Sequence, residues 1–485
     1  MHANDGEFMR ASDAFSWYQE NDPALRATIV SIIWLDSSPD WDELRARLDN
    51  ASRQIVRFRE RVEEPPARLS TPRFIIDEHF DITWHVRRVQ APSPANASAV
   101  LEIARTDAMT SFDRVRPLWK ATLVEGVDGD RAALVMKVHH SLTDGMGAMK
   151  LAPLLFDLSR TTTHRDEASA PKSDRHGLLP ASIANDVVQT ARLVASTAKS
   201  AVGAGPRFVR NPVTSVRNAV GTVTSIAETV APVSNALSPI MQERGLSRSL
   251  DLVTVDLADL KRAAKAADAT LNDAFLAAVT GGLRRYHEQH GTTVDELRVT
   301  MPVSIRKEDD PAASNRITLM RFRLPVADVN PASRMHKIDK QARRARNARS
   351  LPFTNAIAFG LDLLPTAVAG SMLKRVDFLA SDVYGPQFPL YLAGAKVTAY
   401  TAFGPTMGCA ANLTLLSYDG ACHVGLTIDE AAVTDPNMYV ECLRAGFAEV
   451  LALGKPEKPI RRPIADGEYP SSYRSPNDLP ADAEK

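Results

Sequence analysis

Apolar and β-branched residues crowd positions 27–35, too densely for a surface helix, and predict a buried strand. Asp40 then stands where a helix cap is wanted, ahead of Trp41, Leu44, Leu48 and Ile55 at helical spacing. Short apolar runs at 74–76 and 82–86 read as two further strands. The clearest local signal is a pair of runs, 119–127 and 131–139, around Asp128-Gly129, a dipeptide suited to a tight hairpin turn. The second run leads into His139-His140, and a helix is expected from Gly145 onward.

The pattern then breaks. Residues 158–213 are rich in Ser, Thr, Arg and Pro, and nothing there alternates like a strand. Two amphipathic helices are expected in this connector, one carrying Ile183, Val187, Val194 and Val202, the other Val216, Val223, Val230 and Leu237. Residues 158–250 hold 11 Lys and Arg against 6 Asp and Glu, so the connector suits either packing on the protein or contact with an anionic lipid surface. From Ser249 the earlier rhythm returns: a strand at 251–256, helices at 257–268 and 270–287, and a strand at 297–305. A second Asp-Gly hairpin is expected over 413–428, a helix over 435–452, and a disordered Pro-rich tail from Lys455. The division that follows is an N-terminal domain over 1–157, a connector over 158–248, a C-terminal domain over 249–454 and a tail over 455–485. Strands interleaved with helices in both halves make this an α/β (α+β layered) chain.

Composition narrows the class. With 485 residues, the chain exceeds one ordinary domain. Lys+Arg and Asp+Glu are both 58, a balance that argues against a general nucleic-acid binder. Three cysteines, Cys409, Cys422 and Cys442, suit free thiols in a reducing compartment. The N-terminus lacks a basic and apolar leader pattern, and no stretch reaches the ~20 apolar residues of a membrane span, so a cytoplasmic protein is expected.

Chemistry concentrates in His139-His140-Ser141-Leu142-Thr143-Asp144-Gly145. Alternation places Leu134, Met136, Val138 and His140 on one face of the strand, and Ala133, Val135, Lys137 and His139 on the other. Neighbouring histidines on opposite faces cannot comfortably chelate one metal. One can be a general base in a cleft while the other is structural, because an imidazole titrates near working pH; a wholly structural pair also fits this pattern. Neither a nucleophile-elbow serine nor a phosphate-binding glycine loop occurs. Thr270-x-x-Asp273 forms a capping box at the start of a helix.

This segment resembles the HHxxxDG motif of CoA-dependent acyltransferases. In order along the chain, Ser12-Asp13, the Val56–Arg59 region, Pro117-Leu118-Trp119, Leu271-Asn272-Asp273, Met301–Arg306, Ser381–Pro386 and Pro389–Ala395 resemble the wax ester synthase/acyl-CoA:diacylglycerol acyltransferase family. The family usually has Asn-Val-Pro-Gly-Pro where Asp382-Val-Tyr-Gly-Pro386 stands here. The resemblance implies two acyltransferase-like domains with an active-site tunnel between them, and transfer of a long-chain acyl group from acyl-CoA to diacylglycerol or a fatty alcohol. It implies His140 as the base beside His139, with Gly145 allowing close backbone approach. Asp144 is expected to pair with Arg306, and Asn272, beside Asp273, to offer an amide to the oxyanion at a helix N-terminus. No metal or bound cofactor is implied, acyl-CoA being a substrate. The basic run Lys337, Lys340, Arg343, Arg344, Arg346 and Arg349 is either a solvated helix face or a patch facing CoA or anionic lipid. Contact with the inner face of the membrane or with lipid inclusions is expected. Two alternatives stand beside this reading: a condensation enzyme for polyketide or peptide lipids, and a non-catalytic protein bound to lipid inclusions. The intact His140, Asp144 and Gly145 weigh against the second.

Overall fold

Both Asp-Gly hairpins form, and each lies inside one of two large sheets. The computed structural model describes residues 7–9, 11–65, 71–142, 152–161, 167–171, 236–304, 317–347, 374 and 376–454. In chain order the strands are β1 (Glu7–Phe8), β2 (Thr28–Leu35), β3 (Glu60–Glu63), β4 (Arg73–Ile76), β5 (Val86–Gln90), β6 (Trp119–Val127), β7 (Arg131–His139) and β8 (Arg248–Asp256). They continue as β9 (Glu296–Ser304), β10 (Ile317–Pro325), β11 (Phe378–Tyr384), β12 (Tyr391–Leu392), β13 (Ala395–Phe403), β14 (Ala411–Tyr418) and β15 (Ala421–Asp429). The helices are α1 (Ala11–Gln19), α2 (Trp41–Gln54), α3 (Ile82–His85), α4 (Ala97–Met109), α5 (Leu257–Ala266), α6 (Leu271–Gln289), α7 (Pro331–Arg346) and α8 (Pro436–Ala452).

In each hairpin turn, Asp and Gly both take positive φ, 49° and 99° at Asp128-Gly129 and 43° and 83° at Asp419-Gly420. That is the backbone twist a two-residue turn needs. The first sheet runs β12-β13-β2-β7-β6-β5 and the second β10-β9-β11-β14-β15-β8, with a small β1-β4-β3 sheet beside the first. On β7 the expected alternation holds: Leu134, Met136 and Val138 pack in one apolar cluster, Ala133 and Val135 in the cluster on the other face. A larger core joins α5, α6, α7 and α8 to the second sheet.

Two expectations are corrected. Residues 82–86 are not a strand: Asp81 accepts from the Thr83 backbone N–H, caps the single turn of α3, and the strand starts at Val86. The domain division also fails at one place. Although β12 and β13 lie in the C-terminal half of the sequence, they extend the first sheet, with Phe403 opposite Val30 and Ala399 opposite Trp34. The other face of β13 packs on the second sheet. Gly425 permits this approach, because a Cβ there would collide with the Ala402 carbonyl; Tyr418 Oη donates to the Val397 carbonyl at 3.2 Å. Of the expected connector and the helix after Gly145, only 152–161, 167–171 and 236–248 are described, with 152–155 helical; both amphipathic connector helices, but for Leu237, and the tail from Lys455 fall outside the described residues.

Strand registers fix which ends coincide. His139 is opposite Thr28, close to where Phe403 ends β13. Just beyond, Asn412 Nδ2 donates to the Pro405 carbonyl at 2.7 Å, so the head of β14 lies at this same end. Ala411 is opposite Phe378, and Phe378 opposite Val299, which brings the heads of β11 and β9 to the His139 end as well.

Candidate active site

Strand β7 ends in a turn that every neighbour holds. The His139 N–H donates to the Leu118 carbonyl at 3.0 Å, the His140 N–H to the Ala27 carbonyl at 2.9 Å, and the Leu142 N–H back to the His139 carbonyl at 3.0 Å. Leu118 comes from the Pro-Leu-Trp segment, which explains why that segment accompanies the histidine pair.

His139 is wholly buried. Its Nδ1 accepts from the Ser141 backbone N–H at 3.1 Å and lies 2.6 Å from Ser141 Oγ. A backbone N–H can only donate, so Nδ1 is the acceptor here, and Nε2 lies 3.2 Å from Glu20 Oε1. Trp17 and Phe112 meet the ring edge-on, each with its centroid 5.9 Å away. Burial pushes the Glu20 carboxyl up, yet the His139 contact, the Ala27 N–H and Arg114 outweigh it and hold Glu20 below its ordinary value. On the same face, Lys137 Nζ donates to the Thr110 carbonyl and Oγ1, each at 2.8 Å. Burial brings its pKa down to about 8 against the pull of Asp107.

His140 is half-buried in the turn that follows β7, where continued alternation predicts the side of Val138. An aromatic stack walls this side: Phe80 on His85 with centroids 4.9 Å apart, and His85 on Trp119 at 4.6 Å. Trp119 Nε1 donates to the Phe58 carbonyl at 2.8 Å, which ties in the Val56–Arg59 segment. His85 Nδ1 lies 2.8 Å from the Trp119 carbonyl and so carries a proton as donor; burial lowers its pKa to about 4 despite that bond. The arrangement holds the His139 imidazole fully buried, while His140, the next residue, is half-buried. Where the halves meet behind His139, a cavity of about 20 Å³ is lined by Arg26, Thr28, Arg248 and Thr427. That is room for a water, and the Thr28 and Thr427 hydroxyls lack protein partners.

The remaining expected residues do not all converge here. Thr143, Asp144, Gly145 and Arg306 lie outside the described residues, and the Asp144–Arg306 pair with them. Asp273 completes the capping box, with Thr270 Oγ1 at 2.6 Å and the Thr270 N–H at 3.0 Å from Oδ2, so its carboxylate is occupied. Asn272 is half-buried in the first turn of α6. The structure does not bring it to His140. The far end of α6 is fixed at the head of β9: His287 Nε2 lies 2.8 Å from Ser238 Oγ, and Ser238 and Arg298 both donate to Asp377. A 19-residue helix spans about 28 Å, so Asn272 sits at the opposite end of the second sheet from His140. Asp382, where the family pattern has Asn, is a half-buried residue whose carboxyl lies beside the Tyr384 hydroxyl and is pushed up to about 6 by burial. The residues missed by sequence reasoning are Glu20, Trp17 and Phe112. No local signal marks them, since they reach His139 only through the fold.

Comparison with known proteins covers nearly all of this frame. A family model described as the wax ester synthase/diacylglycerol acyltransferase catalytic domain matches residues 9–275, and the WS/DGAT C-terminal domain model matches 313–450. A Mycobacterium tuberculosis protein named, provisionally, a diacylglycerol O-acyltransferase is 34% identical over 93% of this chain and 94% of its own. The O-acyltransferase WSD of Acinetobacter baylyi is 30% identical over 72% of this chain and 77% of its own. Among solved structures, the wax ester synthase/diacylglycerol acyltransferase of Marinobacter aquaeolei VT8 aligns with a TM-score of 0.60 at 21% identity, over 92% of this chain and 100% of that one. The first condensation domain of the calcium-dependent antibiotic synthetase shares the fold at a TM-score of 0.58 and 16% identity, over 93% of this chain and 97% of its own.

Proposed function

The chain belongs to the wax ester synthase/diacylglycerol acyltransferase family, and from that premise we propose that it moves a long-chain acyl group from acyl-CoA to diacylglycerol, with long-chain alcohols as further acceptors. The observation that carries the assignment of roles is the divided histidine pair. His139 is wholly buried against Ser141 and Glu20, whereas His140 is half-buried in the turn after β7, where alternation predicts the opposite face. In the proposed reaction the His140 imidazole takes the proton of the acceptor hydroxyl as that oxygen attacks the thioester carbonyl. The tetrahedral intermediate then expels the CoA thiolate, which receives the same proton. Atoms and charge balance with a thioester and a hydroxyl alone, so the scheme calls on no metal or bound cofactor.

An apolar acceptor must be collected at a lipid surface, and the His140 end of the first sheet suits such contact. There Trp84 is 43% and Val115 68% exposed. Arg116 and Lys120 lie over the Trp84 ring at 4.4 and 4.9 Å. An exposed indole flanked by long cationic side chains is at home between headgroups and acyl chains. No helix among the described residues is long and apolar enough to cross a membrane. The deciding experiment supplies the purified chain with labelled palmitoyl-CoA and a panel of acceptors, and identifies the products. Triacylglycerol from diacylglycerol is expected, and His140→Ala should lower kcat at least 10²-fold while the fold stays intact. Full activity in that folded variant would remove His140 as the base.

A further inference from the structure

Helix α7 carries an unusual outer face. Arg334, Met335, Ile338 and Ala342 bury one side of it. The other side exposes Lys337, Lys340, Arg343, Arg344 and Arg346. Arg343 is held by Asp339 at 2.6 Å and Lys337 by Asp328 at 2.8 Å. Among the described residues, no carboxylate pairs with Lys340 or Arg344. Lys340 and Arg344 stand one turn apart, a spacing at which like charges repel, with the Asp328-paired Lys337 one turn before them on the same ridge.

A cleft of about 360 Å³ opens along the ridge, lined by Lys337, Lys340, Gln341 and Arg344 of α7 and by Asp295, Glu296, Pro325 and Asp328, the last already paired with Lys337. The volume suits a small organic ligand rather than a bare ion. Its chemistry is mixed. Glu296 is turned toward Arg323, 3.6 Å away, while the Asp295 backbone carbonyl, not its carboxylate, accepts from Val326 at 2.8 Å. A bare phosphate would meet Asp295 unfavourably. A nucleotide would not, because its phosphates can meet Lys340 and Arg344 while a ribose hydroxyl or a base amine donates to Asp295. The cleft also stands at the head of β9, at the end of the molecule where His140 lies, and β9 is only two strand spacings, about 10 Å, from β14.

We propose that this cleft between α7 and the β9–β10 edge binds the phosphorylated nucleotide end of the acyl-CoA donor, with Lys340 and Arg344 on its phosphates and Asp295 on its hydroxyl or amine donors. The proposal rests on acyl-CoA being the donor, as put forward above. A phospholipid headgroup would offer the same phosphate, so the test separates the two sources. Steady-state kinetics of the full chain compare wild type with the double variant Lys340→Gln, Arg344→Gln, using palmitoyl-CoA and palmitoyl-pantetheine, which has no nucleotide. The variant should raise KM for palmitoyl-CoA at least tenfold with kcat within twofold, and should match wild type on palmitoyl-pantetheine. Arg343→Gln, outside the cleft on the same helix, should behave as wild type. Adenosine 3′,5′-bisphosphate should raise the melting temperature of wild type and leave that of the double variant unchanged. Unchanged KM for palmitoyl-CoA overturns the proposal, as does an equal rise with both donors. Loss of flotation on phosphatidylglycerol vesicles with KM unchanged also overturns it, and assigns the ridge to headgroups. If wild type transfers nothing from palmitoyl-CoA, the donor assignment fails instead, and the melting shift still decides whether the cleft takes a nucleotide.

Discussion

His139 and His140 are chemically identical and adjacent, yet the fold buries the first wholly and the second by half. Strand alternation alone predicts that the residue following His139, the last of β7, faces the other way. What alternation could not supply is the partner set. Glu20, Trp17 and Phe112 come from segments with no motif of their own, and only three-dimensional packing brings them to one ring. His139→Ala should therefore cost about 3 kcal/mol of stability, by leaving the Ser141 N–H and Glu20 without their partner. Urea unfolding followed by circular dichroism would measure this, and an unchanged midpoint would show that the clamp is dispensable. Two other buried imidazoles set the acid limit. His85 and His423 are both lowered by burial to about 4. A histidine with a depressed pKa binds its proton more readily unfolded, so stability should be full above pH ~6.5 and fall as pH drops toward about 4. Unfolding free energies at pH 7.5, 6.0 and 5.0 should decline in that order, and His85→Phe, which keeps the stack on Trp119, should flatten part of the slope.

At the level of elements, the sequence was most legible where one local rule decides. The two Asp-Gly turns, the Asp40 cap of α2, with Glu43 N–H donating at 2.8 Å, and the Thr270 capping box all stand where their residues predict. It was least legible where direction in space matters. The capping box correctly marks a helix start, but nothing in Leu271-Asn272-Asp273 says at which end of the sheet that start will lie. Helix α6 must finish where β9 begins, and this sends Asn272 away from His140. Thr270→Ala should accordingly cost about 1 kcal/mol, whereas Asn272→Ala should leave kcat within threefold. A hundredfold loss of kcat at Asn272, with KM and stability unchanged, would return it to the reacting centre. The one-turn helix α3 makes the same point on a smaller scale: apolar residues 82–86 alternate well enough for a strand, and a single Asp81 cap overrides them.

For the whole molecule, β1 to β7 lie in the first sheet and the small sheet beside it, β8 to β11, β14 and β15 in the second, and β12 and β13 cross back to the first. The family segment Pro389–Ala395 leads into these strands, yet composition around it gives no hint that it crosses to the other sheet. Periodicity reports which faces of a strand are buried, not which neighbour buries them. The crossing has an energetic meaning: it fastens the halves through main-chain hydrogen bonds along β2 as well as through side-chain packing on β14 and β15.

That crossing also sets a timetable for the ribosome. The Lys396 N–H that donates to Asp36 is 360 residues further along the chain, so the edge of β2 stays bare through most of translation. An unpaired strand edge is a template for aggregation, and closing so long a loop is slow relative to local pairing. A nascent chain halted at residue 235 should therefore be sticky, recruiting chaperones and partitioning into the insoluble fraction. Adding residues 236–454 in trans should rescue its solubility, and adding the same fragment lacking 389–403 should not. Rescue by that shortened fragment would show that the first sheet completes itself without its late strand; failure of both would show that the two sheets must be born on one polypeptide.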